Sequence, residues 1–94
     1  MPTTEPSPTG AMTLLGAVSD PVRWTVLHRL AEHGTTCVCD LQRRVPIAPS
    51  LLSYHLKVLR DAGLVTSERR GRWIDYTLAE DATDRLREAL PLEL

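Results

Sequence analysis

Apolar residues return every three or four positions along much of this chain, and the breaks in that rhythm divide it into short helices. In "AMTLLGAVS", Met12, Leu15 and Val18 share one side, which predicts a short helix over 11–19. "SDPVRWTVLHRLAEHG" predicts a second. Asp20 is a good N-cap, Pro21 suits the first helical position, and Val22, Val26, Leu27 and Leu30 recur at helical spacing. Gly34 suits the C-cap, and His33 in the last turn complements the helix dipole. "CVCDLQRRV" fits a third helix, with Val38, Leu41 and Val45 facing inward. "PIAP" then breaks the chain, because Pro46 and Pro49 cannot both lie inside one helix. Pro49 instead opens "PSLLSYHLKVLRDAG", which closes at Gly63 and turns Leu52, Leu56 and Leu59 inward, with Val58 beside them. Ser50, Ser53, Tyr54, Lys57 and Arg60 fall on its other face.

The period then changes from helical to alternating. In "LVTSERRGRWIDYTL", Leu64, Thr66 and Glu68 point one way and Val65, Ser67 and Arg69 the other. Arg70-Gly71-Arg72 supplies a turn, and residues 73–78 resume a strand, so a β-hairpin with arginines at its tip is expected. "EDATDRLREAL" is helical again, with Ala82, Leu86, Ala89 and Leu90 on one side. The expected fold is mainly α with a small β-hairpin (α+β). A short helix, a tight turn and a second amphipathic helix followed by a basic hairpin make a winged helix-turn-helix.

Composition adds three constraints. A chain of 94 residues, 43% hydrophobic and without Phe, builds one modest core, and a core of this size gains from a partner subunit. No repeats and no second domain are visible. "MPTTEPSPTG" lacks a basic region and an apolar run, so residues 1–10 are expected as a disordered tail rather than a signal peptide, with residues 11–94 forming the domain. No apolar run approaches the roughly 18 residues of a membrane span, and the chain is expected in the cytoplasm, without a membrane partner. There, two cysteines point to a metal or redox site rather than a structural disulfide.

Charge is distributed unevenly. The net is −1, yet residues 43–73 hold seven basic side chains against Asp61 and Glu68, a net of +5, between acidic flanks. A cationic middle suggests a polyanionic partner, and this fold order suggests double-stranded DNA. The major groove admits one helix, whose N-terminal side chains read base edges. Those are Ser50, Leu51, Ser53 and Tyr54, with His55 as a DNA contact or a packing residue. Lys57 and Arg60 are placed for phosphates, and Arg69, Arg70 and Arg72 can reach the backbone or an adjacent minor groove. Arg43 and Arg44 add phosphate contacts from the preceding helix. Trp24 and Trp73 are expected as core or dimer contacts, and His28, among apolar neighbours, as a core histidine. An enzyme is not expected, since a nucleophilic cysteine needs a positioned base and a cleft that no segment here supplies.

"LGAVSDPVRWTVLHRLAEHG", "CVCDLQRRV", "SYHLKVLRDAGLV" and "RRGRWIDYTL" together resemble the arsenic-repressor-type (ArsR/SmtB) metal-sensing transcriptional repressors, over about residues 12–90. The resemblance implies a homodimer joined through residues 12–18 and 80–90, bound to operator DNA and released by an effector. It implies that "CVCDL" is the ligand site, with Cys37 and Cys39 holding As(III) or Sb(III) as inducer, or Cd or Zn in their place. Such sensors often carry a third cysteine where this chain has Gln42. As(III) would then take two thiolates plus a small thiol or hydroxide. A tetrahedral ion would need His28, His33, Asp40 or a ligand from the other subunit. The family's other common site, Asp and His on the last helix, is rejected, because residues 79–94 contain no His. Alternatives are a Ni, Zn or Cd ion, a thiol redox switch, or two inert cysteines.

Thiolates are soft ligands suited to these ions. On a regular helix, residues i and i+2 point about 200° apart. Cys37 and Cys39 therefore cannot both grip one small ion while the helix is regular there, and binding is expected to distort its first turn, and with it the aim of the reading helix.

Overall fold

The structure, a computed structural model, describes residues 8–90. Eight elements follow one another: α1 (Pro8–Val18), α2 (Pro21–His33), β1 (Thr36–Cys37), α3 (Val38–Arg44), α4 (Pro49–Asp61), β2 (Val65–Arg70), β3 (Trp73–Leu78) and α5 (Ala82–Ala89). Helix α1 begins at Pro8, so residues 8–10 belong to it rather than to the expected tail, whose residues 1–7 lie outside the described residues.

The punctuation read from the sequence is present. Asp20 Oδ1 accepts the backbone N–H groups of Val22 at 2.8 Å and Arg23 at 3.1 Å, capping α2. Gly34 ends that helix at φ 72°, a region costly for residues with a Cβ. Leu30, Leu41, Leu52, Leu56, Leu59 and Leu64, with Val26 and Val65, are the largest fully buried side chains. They bring α2, α3, α4 and the root of β2 onto one core.

The sheet has three strands rather than two. Its order is β1-β3-β2, and both pairings are antiparallel. Two residues are too few to show an alternating pattern, so β1 left no periodic signal. Its register pairs Thr36 with Tyr76 and Cys37 with Asp75. The β2–β3 hairpin pairs Arg70 with Trp73 and closes over Gly71 and Arg72, with Gly71 at φ 63°. Beyond Val65, every β2 residue is exposed, because the hairpin projects from the body as a wing. The expected two-faced alternation therefore holds only at its root.

Trp24 and Trp73 are 55% and 42% exposed, so neither is a core residue. His28 is also exposed rather than buried, and its ring lies 4.9 Å from that of Trp24.

Candidate nucleic-acid interface and thiol pair

Helix α4 presents the face that the sequence assigned to reading. Ser50, Leu51, Ser53, Tyr54, Lys57 and Arg60 are exposed, while Leu52, Leu56 and Leu59 are buried beneath them. Pro49 and the absence of a side-chain cap leave the helix start open to a groove. His55 departs from the DNA-contacting set. It is 7% exposed and points inward, because it falls on the same side of the helix as Leu52 and Leu59. The packing alternative is the one observed. Its Nδ1 lies 2.9 Å from Arg23 Nη1 and 3.8 Å from Asp20 Oδ1. Asp20 is held below the usual carboxylate range, first by the backbone N–H of Arg23, then by that of Val22 and by the charge of Arg23.

The cationic side chains fall into two sets. Arg70 is held by Asp75 through Nε at 2.9 Å and Nη2 at 3.2 Å, Lys57 by Asp61 at 2.6 Å, and Arg43 by Asp40 at 3.3 Å. Among the described residues, no carboxylate pairs with Arg44, Arg60, Arg69 or Arg72. Arg72 lies over the Trp73 ring at 5.3 Å.

Two contacts that the sequence did not signal brace α4. Gln42 Nε2 donates to the carbonyls of Ile47 at 2.7 Å and Val45 at 3.4 Å, tying α3 to the turn before α4. Arg85 of α5 donates to Gly63 O at 2.8 Å and Ala62 O at 3.1 Å, supplying partners for carbonyls at the end of α4.

The cysteines sit where β1 runs into α3. Cys37 is not helical: it is the N-cap, with φ −66° and ψ 143°, and α3 starts at Val38. The two Cα atoms are 5.2 Å apart and the sulfurs are joined in a disulfide. Cys37 Sγ also accepts the Cys39 N–H at 3.2 Å. The expected conflict between a shared ion and a regular helix is therefore overturned. An extended residue followed by the first helical turn brings both sulfurs to one side with α3 intact. His28, His33 and Asp40 do not join them, since no cluster of three or more His, Cys, Asp or Glu occurs among the described residues. The thiol pair fits a thiophilic ion by donor chemistry, but as two ligands rather than a closed tetrahedral set.

A groove of about 420 Å³ between α1, α2 and α5 is lined by Leu15, Val18, Trp24, Leu27, Leu86 and Leu90, among others. Among the described residues, no helix is long and apolar enough to cross a membrane.

The family profile described as "Bacterial regulatory protein, arsR family" matches residues 20–67, from the Asp20 cap through α3, the turn and α4 into the wing. This chain belongs to that family. The ArsR-family chain is 41% identical over 70 residues to the arsenical resistance operon repressor of Bacillus subtilis, covering 74% of this chain and 67% of that protein. It is 38% identical over 90 residues to the biofilm growth-associated repressor of Agrobacterium fabrum, covering 96% and 76%. A crystal structure described as a possible transcriptional regulator for arsenical resistance superposes with a TM-score of 0.75 at 33% identity, covering 81% of this chain and 78% of that one.

The ArsR-family protein is thus a DNA-binding transcriptional repressor on a winged helix-turn-helix, and its relatives are regulators rather than enzymes. Its relatives include the arsenical resistance operon repressors of Bacillus subtilis and Escherichia coli.

Proposed function

We propose that this protein represses transcription as a homodimer in the cytoplasm and leaves its operator when As(III) or Sb(III) binds the reduced thiols of Cys37 and Cys39. The observation that carries this reading is the meeting of the two sulfurs at the start of α3, one element before the reading helix. Their softness suits a trivalent metalloid, whose remaining ligand would be a small thiol or hydroxide. A divalent ion such as Cd or Zn would draw further ligands from outside this chain's local residues.

Ser50, Leu51, Ser53 and Tyr54 read base edges, and Arg44, Arg60, Arg69 and Arg72 hold phosphates, with Arg43, Lys57 and Arg70 as weaker anchors. The apolar groove beside α1 and α5, with Met12 59% and Leu90 40% exposed at those helices, supports pairing through them. Ligation reaches the DNA face along the sheet. Cys37 pairs in register with Asp75, and Asp75 holds the wing's Arg70. Whatever the ion costs in operator affinity, the operator costs in ion affinity.

A second reading is favoured by the disulfide itself. Here a peroxide or a small-molecule disulfide takes two electrons and two protons from the Cys37 and Cys39 thiols, and the closed pair sets the repressor's state.

One titration tests both. Reduced protein on its own promoter duplex is challenged with As(III), Cd, Zn and Ni, and separately with a thiol oxidant. Release by As(III), lost in Cys37→Ser and Cys39→Ser, supports the metalloid reading. Release only by oxidant, reversed by a dithiol reductant, replaces it with the redox reading. Release by neither rejects both.

A further inference from the structure

We infer that Arg23 and His55 are positioning residues for operator reading, joined by a hydrogen bond that exists only while the His55 ring is neutral. The inference rests on the assignment of the exposed α4 face to base reading. His55 lies beneath that face, its side chain 9% exposed, and its ring meets the Tyr54 ring edge-on with centroids 5.3 Å apart. A shift of this imidazole therefore moves a reading side chain directly.

Arg23 is held in place before it reaches His55. Its Nε donates to Ala17 O at 2.7 Å and its Nη2 to Gly16 O at 3.4 Å, carbonyls in the last turn of α1, of which Gly16 O also accepts the Ser19 N–H at 3.2 Å. Its Nη1 lies 2.9 Å from His55 Nδ1. A guanidinium only donates, so Nδ1 must be the acceptor and the ring proton sits on Nε2. The end of α1 thereby sets the rotation of α4 through one guanidinium.

A second ring proton would sit on Nδ1, where it faces a donor and a like charge. The bond is then lost. Among the described residues, the one carboxylate facing the ring is Asp20, 3.8 Å away, and its Oδ1 already accepts two backbone N–H groups. From the other elements packed against α4, α1 carries no charged side chain, β2 turns in the apolar Val65, and Tyr54 adds a phenol. Protonation thus leaves Arg23 and His55 opposed, with one already engaged counter-charge.

The test compares the full-length wild type with His55→Asn, Arg23→Met and Arg23→Lys. Fluorescence anisotropy measures binding to the promoter duplex and to a scrambled duplex, from about pH 8 to about pH 5, the window in which histidines ordinarily gain a proton. Asn places an amide oxygen where Nδ1 sits, so it keeps the acceptor and cannot titrate. The wild type should lose about tenfold in promoter affinity across the window while scrambled binding falls less. His55→Asn should keep neutral-pH affinity within about threefold and show a flat profile. Arg23→Met should start weak and stay flat, and Arg23→Lys should restore part of the neutral-pH affinity. Circular dichroism and thermal melts confirm that each variant folds. Superimposable profiles for the wild type and His55→Asn would overturn the inference. Loss of promoter preference in none of these proteins, together with no effect of Ser53→Ala or Tyr54→Ala, would instead overturn the assignment of the reading face.

Discussion

Asp75 holds the Arg70 guanidinium by two hydrogen bonds, 2.9 and 3.2 Å, so one of the wing's arginines is tied to its own hairpin before any DNA is present. The bond holds Asp75 below the usual carboxylate range and raises Arg70. A phosphate must compete with that carboxylate for Arg70, but with none for Arg72. Arg72→Ala should therefore lower the salt slope of DNA binding by about one, and Arg70→Ala by clearly less. Asp75→Asn should strengthen binding to any duplex. Anisotropy titrations at several salt concentrations read all three, and equal slopes for the two arginine variants would show that the intramolecular pair does not persist on DNA.

Gln42 occupies the position at which the resemblance would place a third cysteine, and its amide donates to the turn carbonyls of Ile47 and Val45. Gln42→Ala should cost about 1 kcal/mol of stability by urea unfolding, the value of a hydrogen bond to a partly buried carbonyl. It should also weaken promoter binding more than scrambled binding, because the turn aims α4. Gln42→Cys should trade that brace for a ligand, binding As(III) more tightly and the operator more weakly.

Asp20 caps α2 with a carboxylate whose folded-state titration lies below its ordinary value. Its contribution is present above about pH 4 and is lost as pH falls through the lower, folded value. Asp20→Ala should destabilise by about 1 kcal/mol at neutral pH. The gap between variant and wild type in denaturant melts should close on acidification. A gap that widens in acid would assign the carboxylate's effect to another interaction.

Gly63 ends α4 at φ 76°, with Arg85 donating to its carbonyl and to that of Ala62. Gly63→Ala should cost about 1–2 kcal/mol, because a Cβ is strained in the left-handed region and also meets the Arg85 guanidinium. Arg85→Ala should cost less in stability and show instead as faster amide exchange at the end of α4, since water can take the place of the guanidinium on these part-buried carbonyls.

Much of the fold was written locally. Asp20, Pro21 and Gly34 bound α2 because capping needs only residues within a turn of each other. The Leu52–Leu56–Leu59 stripe placed α4 because a buried helix face repeats every 3.6 residues. The same periodicity put His55 on the inward side, although its polar character made it resemble a reading residue. The start of α3 differs from expectation for a related reason. A helix extended by one residue, to Cys37, separates the sulfurs, whereas an extended Cys37 brings them together. That single residue's conformation is set by β1 pairing with β3, more than thirty residues away in sequence.

Sequence alone determined the five helices and the hairpin, the leucine-rich core, the cationic stretch and the family, because each is carried by neighbouring residues or by a contiguous motif. Tertiary structure decided which cations are already paired, that Arg23 meets His55, that Gln42 and Arg85 brace α4, and that the two sulfurs touch with α3 unbroken. Those are contacts between side chains and groups whose separation only the packed chain defines. A hydrogen bond depends on distances of a few tenths of an ångström, and no periodicity encodes them.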